Sequence, residues 1–194
     1  MKDLHFVLRK TEKIGKKLTF QGSSRNRGAG ALFDLAHEHA KAIAFLIENE
    51  LMGSAYALVR SCIEAYIRGS WFLHCASDEQ VKKYLGKDTK WPNLAQQMTE
   101  LESLHCLPDM FKNRYMGKTM GVMDGLTHGL SSQINRRYNE NHLEFKVDEK
   151  EIEEIIREVS FISILAHAGI VEMSDNKEMN QHLEEILEEL IAFN

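Results

Sequence analysis

From Leu4 to Leu18 the apolar residues Leu4, Val7, Leu8, Ile14 and Leu18 return at helical spacing while Lys10, Lys13 and Lys17 hold another face, which predicts an amphipathic first helix. The polar stretch from Gln21 to Gly28 interrupts the period. It resumes from about Ala29 to Leu51, with Leu32, Leu35, Ala36, Ala40, Ile43 and Ile47 as the inner face, and again from Ser54 to Ala76 after a short turn at Met52-Gly53. Two helices joined so closely pack antiparallel as a helical hairpin. Ser77-Asp-Glu-Gln80 has the form of a capping box and predicts a short helix from Asp78 to near Gly86. Pro92 suits the first turn of a helix running to about Leu104, and Pro108-Asp109 can open another. Asp148-x-x-Glu151 is a second N-cap signature, ahead of a wide apolar stripe through Ile152, Ile155, Ile156, Val159, Ile162, Leu165, Ala166 and Val171. A last helix buries Met179, Leu183, Ile186, Leu187 and Leu190 and turns Glu184, Glu185, Glu188 and Glu189 outward. No strand pattern and no repeat period emerges. The expected fold is all-α: a single-domain bundle of about six main helices.

Composition agrees with one ordinary core, since 194 residues at 43% hydrophobic content require no second domain. Cys62, Cys75 and Cys106 show no C-x-x-C spacing and follow no secretory leader, so reduced thiols and a cytoplasmic location are expected. Arg60, Glu64 and Arg68 punctuate the most apolar segment, which argues against a membrane span. Charge divides the chain more sharply than its net −5 suggests: residues 1–30 carry +6 and residues 148–194 carry −10. This maps a basic N-terminal helix over 1–20, a core over about 25–173 and an acidic C-terminal helix over 176–194. The basic helix could track phosphates. It fits better against the acidic helices of its own chain or of a second subunit.

The third helix holds the first candidate chemistry. At about 100° per residue, Tyr56, Arg60, Glu64, Arg68, Trp71 and His74 fall within about 120° of one another. Such a stripe is either a solvated face with two i,i+4 ion pairs or a cleft or interface in which Arg60 and Arg68 bind an anion and Glu64 orients them. A second cluster spans Met116 to Gly129, where Gly117, Gly121, Gly125 and Gly129 recur every four residues. Four glycines cost a free helix several kcal/mol at about 1 kcal/mol each. A closely packed neighbour along this ridge is the expected compensation; the other is an irregular backbone that places Asp124, Thr127 and His128 at a site. Gln133, Arg136 and Arg137 could extend it as a basic, hydrogen-bonding edge, with solvent exposure the default for the two arginines.

No Walker motif, H-E-x-x-H or nucleophile elbow occurs. Asp34-x-x-His37 and Glu102-x-x-His105 resemble di-metal motifs only loosely, at about their chance frequency, so no metal and no cofactor is expected. His39 and His167 read as hydrogen-bonded helix residues.

Arg68-x5-His74 resembles the arginine-histidine motif of HEPN-type ribonucleases, all-α dimers that cleave RNA without metal. That resemblance implies catalytic roles for Arg68 with His74 or His128. About one such spacing is expected by chance here, and the chain holds three. Six residues on one continuous helix also set Arg68 and His74 about 120° apart.

A broader resemblance runs from about residue 25 to 173. SAYALVRSCIEAYIRGSWFLHCA, from Ser54 to Ala76, then Asp124-Gly-Leu-Thr-His-Gly129 and Gln133-Ile-Asn-Arg-Arg137, are similar to an uncharacterised bacterial family of helical proteins, a domain of unknown function. The resemblance singles out Arg60, Glu64, Arg68, Trp71 and His128 and implies no established activity. The leading expectation is a self-associating, dimeric helical module that binds a protein partner or an anionic ligand through the Arg60/Glu64/Arg68 face near His128. The alternatives are a metal-independent endoribonuclease of a toxin-antitoxin or phage-defence module acting on RNA, and an immunity or antitoxin protein whose acidic C-terminal helices cover a basic partner.

Overall fold

The computed structural model describes residues 2–15, 22–87, 90–107, 111–115, 118–139, 141–146, 148–174, 181–186 and 188. The protein is all-α. Its helices are α1 (Lys2–Gly15), α2 (Ser24–Glu48), α3 (Met52–His74), α4 (Asp78–Gly86), α5 (Leu94–Ser103), α6 (Phe111–Tyr115), α7 (Lys118–Thr127), α8 (Ser131–Ile134) and α9 (Glu149–Ser174). Residues 181–186 are also helical. Between α8 and α9 a two-residue hairpin pairs β1 (Tyr138–Asn139) with β2 (His142–Leu143), Tyr138 opposite Leu143. Strands this short carry no alternation, so periodicity gave no sign of them.

The α2–α3 hairpin is the centre of the molecule, and α9 lies across both helices. Ala29, Phe33, Ala36, Ala40 and Ile43 of α2 face Ala55, Val59, Cys62, Ile63 and Ile67 of α3 and Val159, Ile162 and Ala166 of α9 in one core. Three helices approach most closely around Phe33. A Cβ on Gly69 would stand 2.8 Å from its ring, and one on Gly169 would overlap it. Small residues at these two positions let α3 and α9 close on the same side chain. The basic α1 lies on α9, with Val7 in a second cluster beside Ile164, Val171, Leu183 and Ile186. Its packing there is apolar, while the pairs His5–Glu48 and Lys41–Glu12 (3.4 Å) tie it to α2.

The polar stretch before α2 is shorter as an interruption than its composition suggests. Ser23 accepts from the backbone N–H of Asn26 (3.0 Å) and caps a helix that begins at Ser24. Gly28 lies inside that helix, where a Cβ would overlap the ring of Phe72. Arg25 ties the open end of the hairpin together, donating to the carbonyl of Phe72 near the end of α3 (2.9 Å) and pairing with Asp78 (2.8 Å) at the start of α4. The capping box at Ser77 and Gln80 forms as the sequence predicts. Pro92 stays outside α5: Asn93 caps that helix and the Pro92 carbonyl accepts from Gln97 (2.9 Å). Pro108 and Asp109 lie outside the described residues, with α6 following at Phe111.

Candidate functional site

The charged row on α3 forms a continuous chain of ion pairs. Arg60 Nε donates to Glu64 Oε1 (2.8 Å), and Arg68 Nη2 donates to Glu64 Oε2 (2.8 Å). Arg60 Nη1 crosses to Asp124 Oδ1 on α7, and His128 Nε2 lies 3.4 Å from the same oxygen. The row is buried in its middle and open at its ends: side-chain exposure is 18% at Glu64, 45% at Arg68 and 63% at His128. Thr127 adds to this seam. Its hydroxyl donates to the Met123 carbonyl (2.8 Å), with the Ala57 carbonyl of α3 at 3.2 Å. Arg60, Glu64, Arg68, Asp124, Thr127 and His128, which are 60 or so positions apart in two groups, therefore meet along α3 and α7.

Three members of the predicted stripe belong elsewhere: Tyr56, Trp71 and His74, of which Tyr56 is buried and bonded to Glu151. Trp71 is fully buried, donates to Glu100 (2.5 Å) and packs among Tyr84, Trp91 and Phe72. His74 turns toward Glu172 of α9 at 3.7 Å, so it and Arg68 have different partners. A stripe 120° wide reaches the edges of the core on a helix packed by α2, α5, α7 and α9.

The glycine ridge does not act as one packing surface. Gly117 lies outside the described residues. Gly121 is exposed with nothing within 4 Å of a Cβ, Gly125 abuts Ser132 of α8, and Gly129 takes φ +67° just after α7 ends. Only the last needs glycine's left-handed freedom. Gln133 and Arg136 are more engaged than an exposed edge, whereas Arg137 is exposed, as expected. Gln133 Nε2 donates to the Gly53 carbonyl (3.0 Å), and Arg137 lies over the Phe145 ring at 5.2 Å. Arg136 grips Glu151 of α9 through two bonds (2.6 and 2.8 Å) and covers the ring of Tyr56 at 5.0 Å.

That last contact borders a cleft of about 490 Å³ between α3, α6, α7 and α9. Its apolar lining comes from Val59, Val122, Met123, Leu126 and Ile155; its polar lining comes from Arg114, Arg136, Glu151, Glu154 and Glu158, with Tyr56 and Tyr115. The Tyr56 hydroxyl donates to Glu151 (3.1 Å), and burial, reinforced by that carboxylate, pushes its pKa up to about 12. Glu151 itself is held below the usual carboxylate range, chiefly by the Arg136 hydrogen bonds. Glu158 is engaged in the same manner by Arg114 and the Tyr115 hydroxyl, whose pKa burial also pushes up to about 12. Glu151, Glu154 and Glu158 share one face of α9. Asp148 caps that helix through Lys150 N–H (2.9 Å), which leaves Glu151 free to serve Arg136. The sequence carries this i, i+3, i+7 acidic row, yet α3, α6, α7 and Arg136, which complete the cleft, come from separate stretches of chain.

A second polar feature is buried between α2 and α9. His37 Nδ1 lies 3.0 Å from Ser163 Oγ, and His167 Nδ1 lies 2.9 Å from the Ser163 carbonyl. His37 Nε2 has no hydrogen-bond partner among the described residues, and burial, with His167 second, pulls the His37 pKa down to about 3. Burial lowers His167 too. Both rings are neutral near pH 7. Among the described residues no three His, Cys, Asp or Glu side chains gather to hold a metal ion, and no helix is long and apolar enough to cross a membrane.

No curated protein matches the chain, and no solved structure matches it. A family model, described as a family of unknown function (DUF6988), matches residues 33–192, a span that includes α3, α7, α9 and every residue lining the cleft. With most of its length covered, the chain belongs to that family.

Proposed function

We propose that the chain is a helical binding module rather than an enzyme, with its ligand seat in the cleft between α3, α7 and α9. One observation carries this reading: a concavity of about 490 Å³ combines an apolar lining with a few rim charges, of which Arg114, Arg136, Glu151 and Glu158 are fixed by one another. Small-ligand sites have this make-up, at roughly 300 to 1,000 Å³ with a few convergent polar groups. In this reading the Arg60–Glu64–Asp124 pairs act as a brace that holds α7 as one wall. Arg68 and His128, the open ends of the row, are the part of it that a partner could reach.

The module is a single domain that self-associates as a dimer in a reducing cytoplasm. Exposed Leu130, Ile134, Tyr138 and Leu143, on α8 and the hairpin, support self-association. Free Cys62, Cys75 and Cys106 support the compartment.

The neutral probe N-phenyl-1-naphthylamine tests the cleft. Its fluorescence should rise saturably with the folded protein, and Val122→Trp, at a position 41% exposed, should weaken the rise without lowering the melting temperature. No rise, or a rise indifferent to Val122→Trp, overturns the reading. Light scattering should give a dimer mass that Leu143→Lys reduces; a monomer at all concentrations removes the self-association.

A further inference from the structure

Resting on the cleft reading, we infer that the occupant is a small organic amine: a primary ammonium carried on an apolar body. The charge around the cleft decides this. Glu151 is engaged by both terminal guanidinium nitrogens of Arg136, Nη1 and Nη2, and by the Tyr56 hydroxyl. Glu158 is taken by Arg114 and the Tyr115 hydroxyl. Glu154 lies between them on the same face of α9, is exposed, and meets no cation among the described residues. Among the described residues, two guanidiniums stand against three carboxylates at the rim, an excess of one negative charge.

An anionic ligand gains little, because each arginine's charge is already offset by a protein carboxylate beside it, Glu158 at Arg114 and Glu151 at Arg136. An ammonium finds an open carboxylate. The body that carries it is apolar because Val59, Val122, Met123, Leu126 and Ile155 offer no hydrogen-bonding side chain. Size selects a small molecule, since about 490 Å³ holds a compact ligand and not a folded partner.

Displacement of N-phenyl-1-naphthylamine by n-hexylamine, n-hexanol and hexanoate, at pH 7 and low salt, tests the inference. Hexylamine should compete about threefold to fivefold better than hexanol, as one exposed ion pair provides, and hexanoate should compete worst. Glu154→Gln should bring hexylamine to the level of hexanol and leave hexanol unchanged. The preference should also shrink at high salt. If hexylamine is no better than hexanol, or if its advantage survives Glu154→Gln, the inference is overturned while probe binding leaves the cleft reading standing. If the probe itself does not bind, the cleft reading falls and takes this inference with it.

Discussion

The imidazole rings of His37 on α2 and His167 on α9 meet edge to face with their centroids 4.5 Å apart, both buried at the contact between two of the longest helices. Lys41 adds to the forces that oppose protonation of His37, and Glu12 opposes them only weakly. Proton uptake here therefore favours the unfolded chain. The folded pKa, about 3, lies below the unfolded value of 6.5, so the stability is fully present above pH 6.5 and is lost as pH falls toward 3. Urea unfolding should show a loss on the order of 3 kcal/mol between pH 7 and pH 4. His37→Gln should flatten much of that slope, leaving a remainder from His167. An unchanged slope would locate the acid sensitivity elsewhere.

Arg60 and Arg68 bear the same charge but should differ in what their loss costs. Arg60 is 24% exposed and bridges Glu64 to Asp124, so Arg60→Met leaves the half-buried Glu64 with Arg68 alone, takes from Asp124 its guanidinium partner and loosens α7. A loss of about 1–2 kcal/mol is expected. Arg68, 45% exposed with one partner, should cost less than about 0.5 kcal/mol on the same change. Denaturant midpoints measured side by side give the contrast, and equal costs would remove the brace.

Alanine at two helical glycines should act with opposite signs. Gly69→Ala drives a methyl group into the Phe33 ring and should destabilise by about 1–3 kcal/mol. Gly121→Ala meets nothing within 4 Å on an exposed turn of α7 and should stabilise by roughly 0.5–1 kcal/mol through helix propensity. Melting temperatures of the two variants settle both signs.

Incubation with total RNA in EDTA should give no cleavage, because Arg68 is paired with Glu64 while His74 faces Glu172. Cleavage abolished by either His74→Ala or His128→Ala would reinstate the ribonuclease reading and displace the one proposed above.

The long helices and the Ser77 cap are legible in the sequence because each rests on a signal within about one or two turns of itself. The brace was half legible. The i,i+4 row Arg60–Glu64–Arg68 is readable from spacing, and Asp124 and His128 stand out beside glycines, but nothing local joins the two sets. The glycines of α7 misled for a related reason: a four-residue recurrence looks the same whether each glycine makes room, ends a helix or simply faces water. Trp71 misled through geometry, since a residue at the margin of a polar stripe needs only a slight rotation to enter the core. His37 and the cleft gave least warning, because their character comes from what α9 brings to them across more than 90 positions.

Phe33, gripped between the glycine notches of α3 and α9, acts as a common axle for the three longest core helices. None of them can slide without the other two registering it. Amide exchange should therefore be slowest, and most nearly synchronous, across α2, α3 and α9, whereas α7 and α8 should open earlier and on their own. The proposed ligand seat would then have fixed walls in α3 and α9 and a breathing wall in α7, which opens entry by yielding of α7 while the inner scaffold stays closed.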